Sequence, residues 1–137
     1  MPYFADSDEV YQYIGGIFEE AISDPDLGPK FSASGVVLKL TYTAPDAVLV
    51  VDMPAGKVLC GDESGTVEPT VQMFMSSDVA HRFWLGKVNI SMALAKGEMR
   101  AKGPVPKILK LIPLAKEVFP RYAARLEADG RTDLLEA

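Results

Sequence analysis

The apolar residues of this chain change period twice, and that change restricts the fold more than any other feature. Val10, Ile14, Ile17, Phe18, Ala21 and Ile22 recur at helical spacing and form one apolar face. From Val36 to Thr43 the period drops to two: Val36, Leu38, Leu40 and Tyr42 alternate with Val37, Lys39 and Thr41. After Asp78 helical spacing returns and persists to the C-terminal region. A block of strands bracketed by helices predicts an α+β architecture. Charged residues at alternate strand positions, Lys39, Arg100 and Lys102, predict a sheet covered by helices on one face only.

Local signals divide the chain further. Asp6 with Glu9 three residues on has the capping-box arrangement, so a first helix runs from about Asp6 to Ser23 and stops at Asp24-Pro25. Gly15-Gly16 weakens it and allows close approach of a neighbour. Ala44-Pro45-Asp46 and Pro54-Ala55-Gly56 are turns separating strands at Val36–Thr43, Ala47–Met53 and Lys57–Gly61. Another strand is expected over Val67–Met75, and the short turns favour a meander. Asp78 is a candidate N-cap for Val79–Leu85, with Gly86 as its stop. A second short helix fits Val88–Ala95, with Val88, Met92 and Ala95 on one side. A half-exposed strand fits Glu98–Lys102. Pro104 opens a helix carrying Ile108, Leu109, Ile112, Ala115 and Phe119; Pro113 should kink or break it, and Pro120 should start a final helix that Gly130 ends.

With 137 residues, 48% of them apolar and 24% charged, the chain reads as one domain, residues 1–137, able to bury a core without staples. No apolar run approaches the roughly 20 residues that span a bilayer. The N-terminus lacks a signal-peptide layout, and Cys60, the only cysteine, excludes an internal disulfide. A cytoplasmic protein is expected. The net charge of −5 is unevenly spread. Seven acids and one base lie between Met1 and Lys30, whereas eight bases and one acid lie between Arg82 and Lys116. The basic stretch is either a solvated face balanced by the acidic helix or a surface for anionic ligands and membranes. Nucleic acid is not an expected partner, since the overall charge is negative and no recognition motif is present.

Chemistry-bearing constellations are sparse. His81, the only histidine, has no nucleophile at triad spacing; Asp78 reads as a cap and His81 as an exposed helix residue. One histidine and one cysteine cannot complete a usual metal set. Cys60 in a strand pattern reads as a small buried hydrophobe, Asp62 and Glu63 as solvated turn acids, and Gly61–Gly65 lacks the lysine of a phosphate-cradling loop. No catalytic residue, metal ligand or cofactor is expected. What stands out is a set of large soft side chains: Met73, Phe74, Met75, Phe83, Trp84 and Met92, followed by the proline-punctuated apolar segment Gly103–Pro113. Such groups build either an ordinary core or an adaptable apolar pocket. Arg100, Lys102, Lys107 and Lys110 stand where they could meet an anionic head near a pocket mouth.

The ordered pieces Gly61-Asp62, Val71-Gln72-Met73-Phe74-Met75-Ser76-Ser77-Asp78, Phe83-Trp84-Leu85-Gly86-Lys87-Val88-Asn89 and Met92 through Gly103 resemble a sterol carrier protein-2 domain of the bacterial, stand-alone type, over roughly Ser34 to Phe119. The resemblance implies a five-stranded sheet with helices on one face and an apolar tunnel between them. It further implies a non-enzymatic carrier of fatty acids, fatty acyl-CoA, phospholipids or sterol-like molecules; the basic stretch adds transient contact with an anionic membrane surface as an expected partner. Carried onto this chain by element position, the wall candidates are Met73, Phe74, Met75, Phe83, Trp84, Met92, Ile108, Leu109 and Ile112. A domain presenting a lipid-like substrate to an enzyme, or a protein-interaction module, are the competing functions. The chain ends Asp133-Leu134-Leu135-Glu136-Ala137, unlike the Ser-Lys-Leu-type ending of peroxisomal members.

Overall fold

The computed structural model describes residues 2–137; Met1 lies outside the described residues. The first helical stretch comprises α1 (Ser7–Val10), a π-helical turn (Tyr11–Gly15) and α2 (Gly16–Ser23). Its start uses the expected residues. Asp6 Oδ1 accepts from Glu9 N–H at 3.0 Å, and Glu9 Oε1 accepts from Ala5 N–H at 2.7 Å. The π turn carries Gly15, and a side chain at Gly16 would press within 3.0 Å of the Arg125 guanidinium, so the glycine pair does admit a neighbour. A helix that periodicity did not reveal, α3 (Leu27–Ala33), follows at once. Asp24 Oδ1 accepts from both Asp26 and Leu27 N–H groups and turns the chain into it. With seven residues including Gly28 and Pro29, it is too short to show a period.

Five strands follow: β1 (Val37–Thr43), β2 (Ala47–Asp52), β3 (Lys57–Cys60), β4 (Val71–Ser76) and β5 (Met99–Lys102). Their order is β3-β2-β1-β4-β5, so the expected meander is corrected. After β3 the chain passes through a 3₁₀ segment (Gly61–Thr66) and β4 pairs parallel with β1, while the other three pairings are antiparallel. Two contacts hold this register: Thr70 N–H donates to Val37 O, and Val37 N–H donates to Thr70 Oγ1. β1, the most regularly alternating strand, is thereby placed at the sheet centre. Turn spacing cannot reveal that pairing, because it depends on contacts more than thirty residues apart.

The register sorts the side chains. Leu40 stands beside Leu49 and Met73, Tyr42 beside Ala47 and Met75, and Met75 beside Met99, all on the helix-covered face. Lys39 and Gln72 are half-buried, and Arg100 and Lys102 are exposed, on the other. Over the covered face pack α4 (Ser77–Trp84), α5 (Ile90–Lys96) and the long α6 (Val105–Ala128), with α7 (Thr132–Leu135) closing the end. Ser76, not Asp78, caps α4, its hydroxyl accepting from Val79 N–H at 3.1 Å. Asp78 Oδ1 instead accepts from Tyr3 N–H. In α5 the buried residues are Ile90 and Ala93 rather than the expected Val88, Met92 and Ala95 face.

The expected new helix at Pro120 is also corrected, and of the kink or break expected at Pro113 the break does not occur: α6 continues through both. Each proline removes one intrahelical hydrogen bond, a cost of about 3 kcal/mol for a helix interior. Both prolines face solvent, where water can take the freed carbonyl, while Ile108, Leu111, Ala115, Val118, Tyr122 and Leu126 bury the opposite stripe. Burying several such side chains at about 1.5–3 kcal/mol each outweighs the loss.

Candidate functional site

Between the covered sheet face and the helices lies an apolar cavity of about 70 Å³. Leu38, Leu40 and Tyr42 of β1, Met73 and Met75 of β4, and Met99 of β5 form its floor. Ala80, Phe83 and Trp84 of α4 and Ile108, Leu111, Ile112 and Ala115 of α6 form its roof, with Phe18, Phe31, Met53 and Ile90 closing the sides. The helix contribution follows from spacing: positions 108, 111, 112 and 115 share one face of α6. Four of the lining residues are methionines, whose unbranched thioethers repack at low cost. Only Tyr42 and Trp84 bring an O–H or N–H group to the lining. Burial pushes the Tyr42 phenol well above its ordinary range, so it stays neutral.

Of the nine wall candidates, Met73, Met75, Phe83, Trp84, Ile108 and Ile112 line the cavity. Phe74, Met92 and Leu109 lie elsewhere. Strand alternation turns Phe74 to the opposite sheet face, where the Arg100 guanidinium sits 5.6 Å from its ring centroid. Met92 is 55% and Leu109 40% exposed, each on the outer side of its helix. The lining residues of β1, with Phe18, Phe31 and Met53, fall before the stretch from Met73 to Pro113 that stands out in the sequence for its soft side chains. The alternation of Leu38, Leu40 and Tyr42 was the available signal for the floor.

His81 is fully buried, which corrects the expectation of an exposed helix residue. Its Nε2 lies 2.8 Å from the Leu134 carbonyl oxygen, which can only accept, so Nε2 carries the proton. Nδ1 then accepts from the Tyr122 hydroxyl at 2.7 Å. Burial, the largest influence, lowers the His81 pKa below that of free histidine. The ring packs edge-on against Phe4 at 5.1 Å and Tyr3 at 5.5 Å. It is a structural tie, and it does not line the cavity. Cys60 is half-buried against the core, and burial raises its thiol pKa ahead of the nearby Glu19 and Glu63 charges. Such a thiol is a poor nucleophile. Among the described residues no cluster of three or more metal-ligating side chains occurs, and no helix is long and apolar enough to cross a membrane.

The acidic N-terminal stretch does not pair with the basic middle. Glu9, Glu20 and Asp24 pair with Arg131, Arg125 and Arg121, all from the C-terminal quarter. Among the described residues, no ion pair engages a base between Arg82 and Lys116. Arg100 and Lys102 point from the open sheet face, away from the cavity.

No family model matches this sequence, and no curated protein matches it. Solved structures do. Sterol carrier protein 2 from Yarrowia lipolytica, in its apo form, superposes with a TM-score of 0.65 at 17% identity, over 86% of this chain and 98% of that one. The sterol carrier protein domain 2 of Helicoverpa armigera gives 0.67 at 17% identity, over 88% and 95%. Sterol carrier protein 2 of Aedes aegypti, in complex with palmitate, gives 0.54 at 23% identity, over 80% and 93%. The chain is a sterol carrier protein 2-like domain by fold: an α+β, largely antiparallel five-stranded sheet with helices on one face.

Proposed function

We propose that residues 1–137 form one lipid-binding domain that takes an acyl chain into the cavity and carries it without chemical change. The observation that carries this reading is the lining itself: side chains almost entirely apolar, four of them methionine, between a sheet and the helices that cover it. The palmitate held by the Aedes aegypti protein supports it as a precedent in the same fold. At about 70 Å³ the cavity is smaller than the roughly 150 Å³ engineered cavity that admits benzene. An acyl chain therefore enters by parting α6 from the sheet, widening the cavity into a tunnel as the methionines repack. Each buried methylene contributes about 0.8 kcal/mol, so a long chain can offset the cost of opening. Fatty acids, fatty acyl-CoA, phospholipids and sterol-like molecules are the ligand classes that fit such a wall. The bases that no carboxylate pairs with supply transient contact with an anionic membrane during transfer.

Native mass spectrometry of gently purified protein should reveal a co-purifying lipid that organic extraction removes. Ala115→Phe, which fills the cavity from α6, should weaken palmitate binding about tenfold or more while costing about 1–3 kcal/mol of stability. Delipidated protein that takes up no acyl chain of any kind would sink the reading.

A further inference from the structure

A second, open hollow of about 490 Å³ adjoins the cavity. Phe83, Ile90 and Ile112 belong to both linings, so these three side chains form the partition between them. The hollow's outer rim differs from the cavity in polarity. Lys87, on the link from α4 to α5, and Lys116, on α6, stand on it together with Asn89 and Ser91. No acidic residue lines the hollow, although the chain as a whole carries a net charge of −5. Among the described residues no side-chain carboxylate pairs with either lysine; Lys87 Nζ donates to the Ala137 carbonyl oxygen.

Helix geometry joins the apolar partition to the charge. Ile112 and Lys116 are four residues apart on α6 and occupy neighbouring positions on one face. Across the hollow, Gly86 leaves the chain at φ +82°, and its position lets Phe119 approach so closely that an added Cβ would sit 3.4 Å from the ring. The link and α6 thus bring Lys87 and Lys116 to the lining of one hollow whose other members include Phe83, Ile112 and Phe119.

We propose that this hollow is the cavity's mouth, and that Lys87 and Lys116 bind the anionic head of a single-chain amphiphile whose acyl chain passes between Phe83 and Ile112. The inference rests on the lipid-carrier reading and assigns the end at which the head group stays. An ionised head cannot follow the chain inward, because the cavity presents only Tyr42 and Trp84 as hydrogen-bonding side chains and burying an unpaired charge is very costly. Two hydrated ammonium groups at a wet rim meet a carboxylate or a phosphate without demanding one planar geometry.

Trp84, the only tryptophan, lines the cavity, so its fluorescence reports occupancy. Palmitate, hexadecyl phosphate and hexadecanol should be titrated into wild-type protein, the Lys87→Gln/Lys116→Gln double variant and a Lys107→Gln/Lys110→Gln control. The double variant should bind both anionic amphiphiles roughly three- to tenfold more weakly at low salt, bind hexadecanol within about twofold of wild type, and lose the difference at high salt. A loss for palmitate alone would restrict the head to a carboxylate, and a loss for hexadecyl phosphate alone to a phosphate. Equal weakening for hexadecanol, weakening by the control pair as well, or undiminished binding of both anions would overturn the assignment while leaving the carrier reading intact. No response of the wild-type protein to any of the three would overturn the carrier reading and this assignment with it.

Discussion

α4 and α6 meet twice in this molecule, and the two meetings differ in kind. On one face α4 gives Ala80, Phe83 and Trp84, and α6 gives Ile108 through Ala115, to an apolar cavity held by no directional bond. On another face α4 turns His81 inward, and α6 answers farther along with the Tyr122 hydroxyl at 2.7 Å; α7 adds the Leu134 carbonyl at 2.8 Å. Glu9 from α1 reaches Arg131 just beyond α6, and that guanidinium lies over the Tyr13 ring. Hydrogen bonds have narrow geometry, whereas apolar contacts among methionines have many near-equivalent packings. The helix pair is therefore fixed by directional bonds where His81 meets Tyr122 and held by apolar contacts alone along the cavity.

The largest effect should follow from breaking the tie. His81→Ala leaves a void and strands the Tyr122 hydroxyl and Leu134 carbonyl, costing about 2–4 kcal/mol in urea unfolding. A loss below about 0.5 kcal/mol would mean that the His81 contact holds the helices no more firmly than the cavity wall does.

A smaller effect should come from acid. His81 has its folded pKa lowered, so the unfolded chain takes the proton first, near pH 6.5. The stability that neutral His81 supplies is fully present above the unfolded pKa and is lost as pH falls through that value toward the folded one. Asp78 and Asp133 oppose the lowering and Lys87 adds to it, but burial dominates. Urea midpoints measured from pH 7.5 down to about pH 5 should fall for wild type, and His81→Gln should flatten that part of the slope. An unchanged slope in the variant would assign the acid sensitivity elsewhere.

The smallest effects sharpen the boundary of the cavity. Met92→Ala and Leu109→Ala remove exposed side chains and should shift stability by no more than about 0.5 kcal/mol, with palmitate affinity unchanged. A marked loss of affinity in either would extend the site beyond the cavity lining.

Some of this was readable along the chain, and some was not. The capping pair Asp6 and Glu9, the alternation Leu38-Leu40-Tyr42 and the 108-112-115 spacing in α6 are local patterns, set by how one residue sits relative to neighbours a few positions away. They are enough for an α+β fold and for part of the cavity wall. Strand alternation separates Phe74 from Met73 and Met75, but only the packing of the helices decides which of the two faces is covered. The parallel pairing of β1 with β4, the continuity of α6 through Pro113 and Pro120, and the burial of His81 arise from contacts between distant segments. α6 accommodates Pro113 and Pro120 while its opposite stripe is buried, and His81 is tied by a carbonyl that arrives from fifty-three residues away. Periodicity therefore settled the apolar faces of the first helix, β1 and α6, though not that of α5; the tertiary structure alone decided which of them meet, because burial and long-range hydrogen bonds outweigh local propensity by several kilocalories per mole.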